Sequence, residues 1–137
     1  MTATLDTNLV LRLLLRDIPE QYELVRDLVT APGARYRVTD TVVNETVHAL
    51  THHYRLSRHH VAEIVRALLQ DGAVEADKAF LDGVIICFVN HPKLSYTDCY
   101  LAEEARVSGH VPLLTFDRRL AREHASAQLP GPTAEPI

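Results

Sequence analysis

Short apolar runs recur along this chain between longer stretches in which apolar residues return every third or fourth position. That alternation is the signature of strands followed by helices. Thr2 to Leu5 predicts a first strand, and Asn8 to Arg16 a helix carrying Val10, Leu13 and Leu14 at helical spacing. Leu9, Leu11 and Leu15 add a second apolar stripe, so this helix is expected to be buried on more than one side and hints at a subunit or partner interface. Pro19 suits the first turn of a second helix, with Tyr22, Val25, Leu28 and Val29 on one face and Pro32-Gly33 as its stop. Tyr36 to Val38 reads as a strand, and Thr39 or Asp40 can cap a helix reaching about Tyr54. Ser57 caps the next, which turns Val61, Ile64, Val65 and Leu68 inward and stops at Gly72.

The pattern then repeats. Val74-Glu75 reads as a brief strand, and Asp77 opens a helix through Phe80, Leu81, Val84, Ile85 and Phe88, closed before Pro92. Tyr96 to Ser108 is a helix with Gly109 as its stop, Val111 to Phe116 the clearest strand, and Asp117 the start of a last helix to about His124. A final strand is poorly marked, since only Ala127-Gln128-Leu129 precedes Pro130. Strands alternating with helices predict an α/β fold, a parallel sheet of four or five strands covered on both faces. The expected organisation is one domain over residues 1–125, with a loosely ordered tail over 126–137 that is rich in proline.

Composition adds limits. A chain of 137 residues can build a core without disulfides or structural metal. Its net charge of −4 does not announce a nucleic-acid binder, although a local arginine stripe beside a metal-filled acidic site remains compatible with one. Cys87 and Cys99 lack metal-type spacing and read as small buried residues of a reducing compartment. The N-terminal apolar segment is interrupted by Asp6, Arg12 and Arg16 and has neither a signal-peptide layout nor the length of a membrane span. The expectation is a cytoplasmic protein with no membrane partner.

The candidate chemistry lies in four carboxylates, Asp6, Glu45, Asp98 and Asp117. Asp6 and Asp117 stand at helix starts, where aspartate also serves as an ordinary cap. Glu45 lies about 200° round its helix from Val43, so alone it reads as a solvated surface acid. Asp98 projects onto the side of Leu101, Ala102 and Ala105, and a carboxylate on a buried face needs a cation or several donors. In parallel α/β folds, sites form beyond the carboxyl ends of the strands, where three of these acids fall. Two carboxylates ~5 Å apart repel by roughly 3 kcal/mol at an effective dielectric near 20. Such a cluster calls for a hard divalent cation, Mg²⁺ or Mn²⁺.

The segments around these acids are Leu5-Asp6-Thr7-Asn8, Val38-Thr39-Asp40-Thr41-Val42-Val43-Asn44-Glu45, Leu94-Ser95-Tyr96-Thr97-Asp98 with Leu101-Ala102, and Leu113-Leu114-Thr115-Phe116-Asp117. In order and spacing over roughly residues 2–122 the sequence resembles the PIN-domain nucleases, and among them the VapC-type toxins of toxin–antitoxin pairs. The resemblance implies a PIN-like three-layer fold and a Mg²⁺- or Mn²⁺-dependent endoribonuclease that hydrolyses RNA phosphodiester bonds by metal-activated water, leaving 5′-phosphate and 3′-hydroxyl ends. It implies that Asp6, Glu45, Asp98 and Asp117 are both metal ligands and the catalytic set, with Asn8 and Thr115 orienting them. It further implies a homodimer and a cognate antitoxin whose segment occupies the active-site groove. Cys99-Tyr100 and Glu103-Glu104 depart from the small or aliphatic residues usual after the third acid.

Arg118, Arg119 and Arg122 on the last helix are the first candidates for RNA contact, and Arg12 and Arg16 the second. His48, His52, His53, His59 and His60 could suggest zinc, but His-Glu-x-x-His is absent and no cysteine joins them, so they read as a polar face near RNA or antitoxin. An aspartyl phosphatase of the haloacid-dehalogenase type needs a second Asp where Asn8 stands, and a phosphorelay receiver needs a lysine that neither Lys78 nor Lys93 supplies. The alternative of a different class is a catalytically silent PIN module that binds RNA or a protein partner.

Overall fold

A computed structural model describes residues 2–132 and divides the chain into two compact units, one up to Asp82 and one from Gly83. In the first unit, β1 (Ala3–Thr4), β2 (Tyr36–Arg37) and β3 (Val74–Glu75) form a parallel sheet in that order, with Ala3 opposite Tyr36 and Tyr36 opposite Val74. The crossovers are helical, as parallel pairing requires. Helices α1 (Thr7–Leu15) and α2 (Pro19–Thr30) join β1 to β2; α3 (Asp40–His48) and α4 (Arg58–Gln70) join β2 to β3. Helix α1 packs on α2 and α3, and α4 on β3. Val10, Val25, Val38, Val43, Val47, Leu50, Val61 and Val65 are fully buried and make the core of this unit.

Local chemistry sets the ends of these helices. Thr39, rather than Asp40, caps α3 by accepting the Val42 N–H at 3.2 Å, and Ser57 caps α4 through the His60 N–H. Pro19 occupies the first turn of α2, where its missing N–H is not needed. Helix α3 runs on through Ala49–His53 as a π-helical turn, so the single helix expected to Tyr54 changes its winding part-way. Helix α4 ends one residue earlier than Gly72 suggested. Asp71 closes it, its carboxylate accepting the Ala73 N–H at 2.8 Å.

Helix α5 (Lys78–Asn90) carries the chain across Asp82. The second unit continues with α6 (Tyr96–Ser108), β4 (Leu113–Leu114), α7 (Arg118–Glu123) and β5 (Ala127–Gln128). Strands β4 and β5 pair in parallel, Leu113 opposite Ala127. Gly109 ends α6 at φ +78, a left-handed conformation that costs glycine nothing. Phe88 and Tyr96 meet edge to face with centroids 5.8 Å apart, among the buried Val84, Ile85, Leu94, Cys99, Ala102 and Leu120.

The α/β class, the parallel pairing and the element order agree with the sequence reading. The sheet is smaller than expected: every strand is two residues long, and the pairing gives three strands plus two instead of one sheet of four or five. Apolar content misled at Val111 to Phe116, where only Leu113 and Leu114 pair and Phe116 is 89 % exposed. The poorly marked last strand is present as β5, inside the stretch from residue 126 read as a tail; residues 133–137 of that tail lie outside the described residues. Among the described residues, no helix is long and apolar enough to cross a membrane.

Candidate functional site

In the first unit Asp6 follows β1 and caps α1, its Oδ1 accepting the Leu9 N–H at 3.0 Å. The Leu5 N–H bonds to the Arg37 carbonyl at 2.9 Å, which fixes Asp6 just beyond the carboxyl end of a paired strand. Glu45 lies on the exposed side of α3, as its register predicts. It is not an unattached surface acid, because the Thr7 hydroxyl donates to its Oε1 at 2.5 Å. Thr7 directly follows Asp6, so this unit brings the two acids into one neighbourhood. Asn8 sits exposed in the same helical turn. A cavity of about 600 Å³ also opens at the carboxyl ends of β2 and β3, but its acids are Asp40, Glu75 and Asp77 rather than Asp6 or Glu45.

In the second unit Asp98 occupies the first turn of α6, where its N–H bonds to the capping Ser95 hydroxyl at 3.1 Å. It is half-buried, and Leu101 on its side of the helix is 42 % exposed. That side is therefore more open than the helical register suggested, although Ala102 and Ala105 are buried. Asp117 caps α7, its Oδ1 accepting N–H groups from Arg119 at 2.9 Å and Leu120 at 3.1 Å. The Thr115 hydroxyl accepts the Asp117 N–H at 3.0 Å and so holds the turn that presents this acid.

A model of the PIN domain matches residues 3–124, nearly the whole chain. The chain belongs to the PIN domain family. No curated protein matches it. PIN domains are in general metal-dependent nucleases, and the donor set here fits that chemistry. Ion pairs among the described residues engage Asp17, Asp27, Glu75, Asp82 and Glu103, and these pairs leave out Asp6, Glu45, Asp98 and Asp117. Carboxylate oxygens that no cationic side chain offsets suit a hard divalent ion.

The arginines of this PIN domain divide into two groups. Arg118, Arg119 and Arg122 are exposed on α7. Arg12 is instead committed inside the first unit, 3.3 Å from Asp17 and donating to the Tyr54 hydroxyl at 3.0 Å, which removes it from the cations available to a ligand. Arg16 lies over the Tyr22 ring, 5.0 Å from its centroid. His48 and His52 lie on an exposed face with ring centroids 4.5 Å apart and planes tilted by 46°, and no group of three metal-type ligands includes them among the described residues.

The sequence reading missed a second concentration of chemistry. In the second unit, Cys87 of α5, Glu103 of α6 and His124 after α7 bring their ligand-type atoms within 4.8 Å of one another. His124 Nε2 lies 2.7 Å from Glu103 Oε2, and Arg106 donates to the other Glu103 oxygen at 2.8 Å. Burial pushes the Glu103 carboxyl up, but the hydrogen bonds from Arg106 and His124 outweigh it and leave the group below the usual carboxylate range. The Cys87 thiol is drawn down to about 6, chiefly by a hydrogen bond from Cys99 and, against burial, by His91 and His124. No local spacing signalled this group, because its three members come from distant segments.

Proposed function

We propose that this PIN domain is a Mg²⁺- or Mn²⁺-dependent endoribonuclease that acts in the cytoplasm as the toxin of a toxin–antitoxin pair. The observation that carries the reading is the state of the four acids singled out by the sequence resemblance: the ion pairs among the described residues leave all four without a cationic side chain. Asp6, Glu45, Asp98 and Asp117 would hold the ion, which when bound lowers the pKa of water and stabilises charge on an attacked phosphate. The protein's own contribution is positional. Thr7 keeps the Glu45 carboxylate turned toward the head of α1, and Thr115 with the α7 backbone leaves Asp117 one oxygen to offer outward.

RNA as the substrate is supported by what flanks Asp117. Phe116 is 89 % exposed, a stacking surface for an unpaired base, and Arg118, Arg119 and Arg122 follow it to meet phosphates. Half-buried Leu9, Leu13, Leu14 and Leu15 on α1 suit the homodimer contact that the toxin reading requires, and an antitoxin segment would cover the acidic groove.

The test is cleavage of single-stranded RNA by purified protein. Activity should require Mg²⁺ or Mn²⁺, stop with EDTA, and fall at least a hundredfold in Asp98→Ala while circular dichroism is unchanged. Full activity in that variant, or in EDTA, removes the assignment. RNA binding without any cleavage favours the silent module instead. Expression should arrest growth unless a cognate antitoxin is co-expressed.

A further inference from the structure

We propose that Cys87, Glu103 and His124 form a binding site for a divalent cation of the zinc class, built into the second unit and using none of the four motif acids. The donor set is one sulfur, one imidazole nitrogen and one carboxylate oxygen, the mixture that zinc accepts and that Mg²⁺ does not prefer. Bond lengths of about 2.0–2.3 Å place tetrahedral ligands roughly 3.3–3.8 Å apart. Ligand atoms already within 4.8 Å therefore need only small side-chain adjustments. Cys87 and His124 are more than nine-tenths buried and Glu103 about nine-tenths, and two of the three stand on long helices, so the site is largely formed in advance.

Proton positions indicate what an ion would change. The Ser126 N–H bonds to His124 Nδ1 at 3.0 Å, so the neutral ring carries its proton on Nε2 and donates it to Glu103. Metal at Nε2 moves that proton to Nδ1 and gives up both the Glu103 and the Ser126 hydrogen bonds. Two hydrogen bonds are a small fraction of what a zinc site returns. His91 stands beside the group, its Nδ1 3.0 Å from the Cys87 carbonyl and its ring 6.0 Å from that of His124.

Cobalt titration of the full, tag-free chain tests the site, since Co²⁺ bound to thiolate absorbs in the near ultraviolet. One equivalent of Co²⁺ should raise that band together with visible bands of tetrahedral intensity, and Zn²⁺ should bleach both and raise Tm. Cys87→Ser should abolish the sulfur band and weaken zinc binding at least tenfold, as should His124→Gln. Asp98→Asn should leave the spectrum intact, which separates this site from the nuclease reading. Wild-type protein that takes up Co²⁺ without a sulfur band is binding it at surface histidines such as His48 and His52, and the proposal fails. It fails equally if the band survives in Cys87→Ser. Because the wild-type spectrum decides the matter, a variant that does not fold leaves the test intact.

Discussion

A hydroxyl proton decides how Glu45 behaves. Its position on α3 gives it to solvent, yet the Thr7 hydroxyl ties it to the residue that follows Asp6. Periodicity in the sequence finds faces, not partners thirty-eight positions away, so the exposure of Glu45 was legible and its attachment was not. Asp98 shows the reverse error: the register placed it beside Leu101, and the exposure of Leu101 makes that surroundings more open than burial arguments assumed. Glu103 was visible only as a departure from small residues, although it is a buried acid with two donors. Its folded-state pKa lies below the ordinary carboxylate value near 4.5, so its stabilising contribution is fully present above that value. The contribution is lost as pH falls through the lower, folded-state value. In metal-free protein, Glu103→Gln should therefore lower stability at neutral pH by roughly 2 kcal/mol, the usual worth of charged hydrogen bonds. Thermal unfolding of both proteins from pH 7 down to 3 should show the gap closing on the acid side; a gap that stays constant across that range contradicts the ion-paired assignment.

Helix starts were the most legible elements because the caps are short-range chemistry. Ser57, Ser95 and Asp117 each accept backbone N–H groups where the sequence placed helix starts, and Gly109 takes the left-handed conformation expected at a helix end. Strands were legible as places and not as lengths, since two-residue pairing carries no period to read. The π-helical turn at Ala49–His53 left no sequence mark at all. Asp117 serves α7 as a cap and is proposed as a metal ligand, and the two roles can be pulled apart. Asparagine keeps the capping oxygen and removes the charge, whereas alanine removes both. Asp117→Asn should keep stability within about 0.5 kcal/mol of wild type, and Asp117→Ala should lose about 1 kcal/mol. Both should lose at least tenfold in metal-dependent cleavage. If Asp117→Asn cleaves normally, Asp117 is a cap and nothing more.

At the scale of the molecule, charge sets the problem that RNA binding has to solve. The chain carries 14 basic and 18 acidic residues, and a net charge of −4 repels a polyanion. On the proposed reading one divalent ion would halve that charge, and the exposed Arg118, Arg119 and Arg122 would attract phosphates locally. Whole-chain charge gave no sign of the proposed binding face, which local arginines alone suggested, and the Cys87–Glu103–His124 group stayed hidden because folding alone brings together residues from distant segments. Fluorescence anisotropy with single-stranded RNA can separate the contributions, with Ca²⁺ supplied as a hard cation in place of Mg²⁺. Affinity should be weak in EDTA and at least tenfold higher with Ca²⁺. Replacing the three arginines by glutamine should flatten the dependence of log affinity on log salt by about 2, at roughly 0.7 per phosphate contact on a single strand. Phe116→Ala should cost on the order of tenfold, the worth of one stacked base, and leave the slope unchanged. An unaltered slope in the arginine variant places the RNA on another face and removes α7 from the substrate-binding surface.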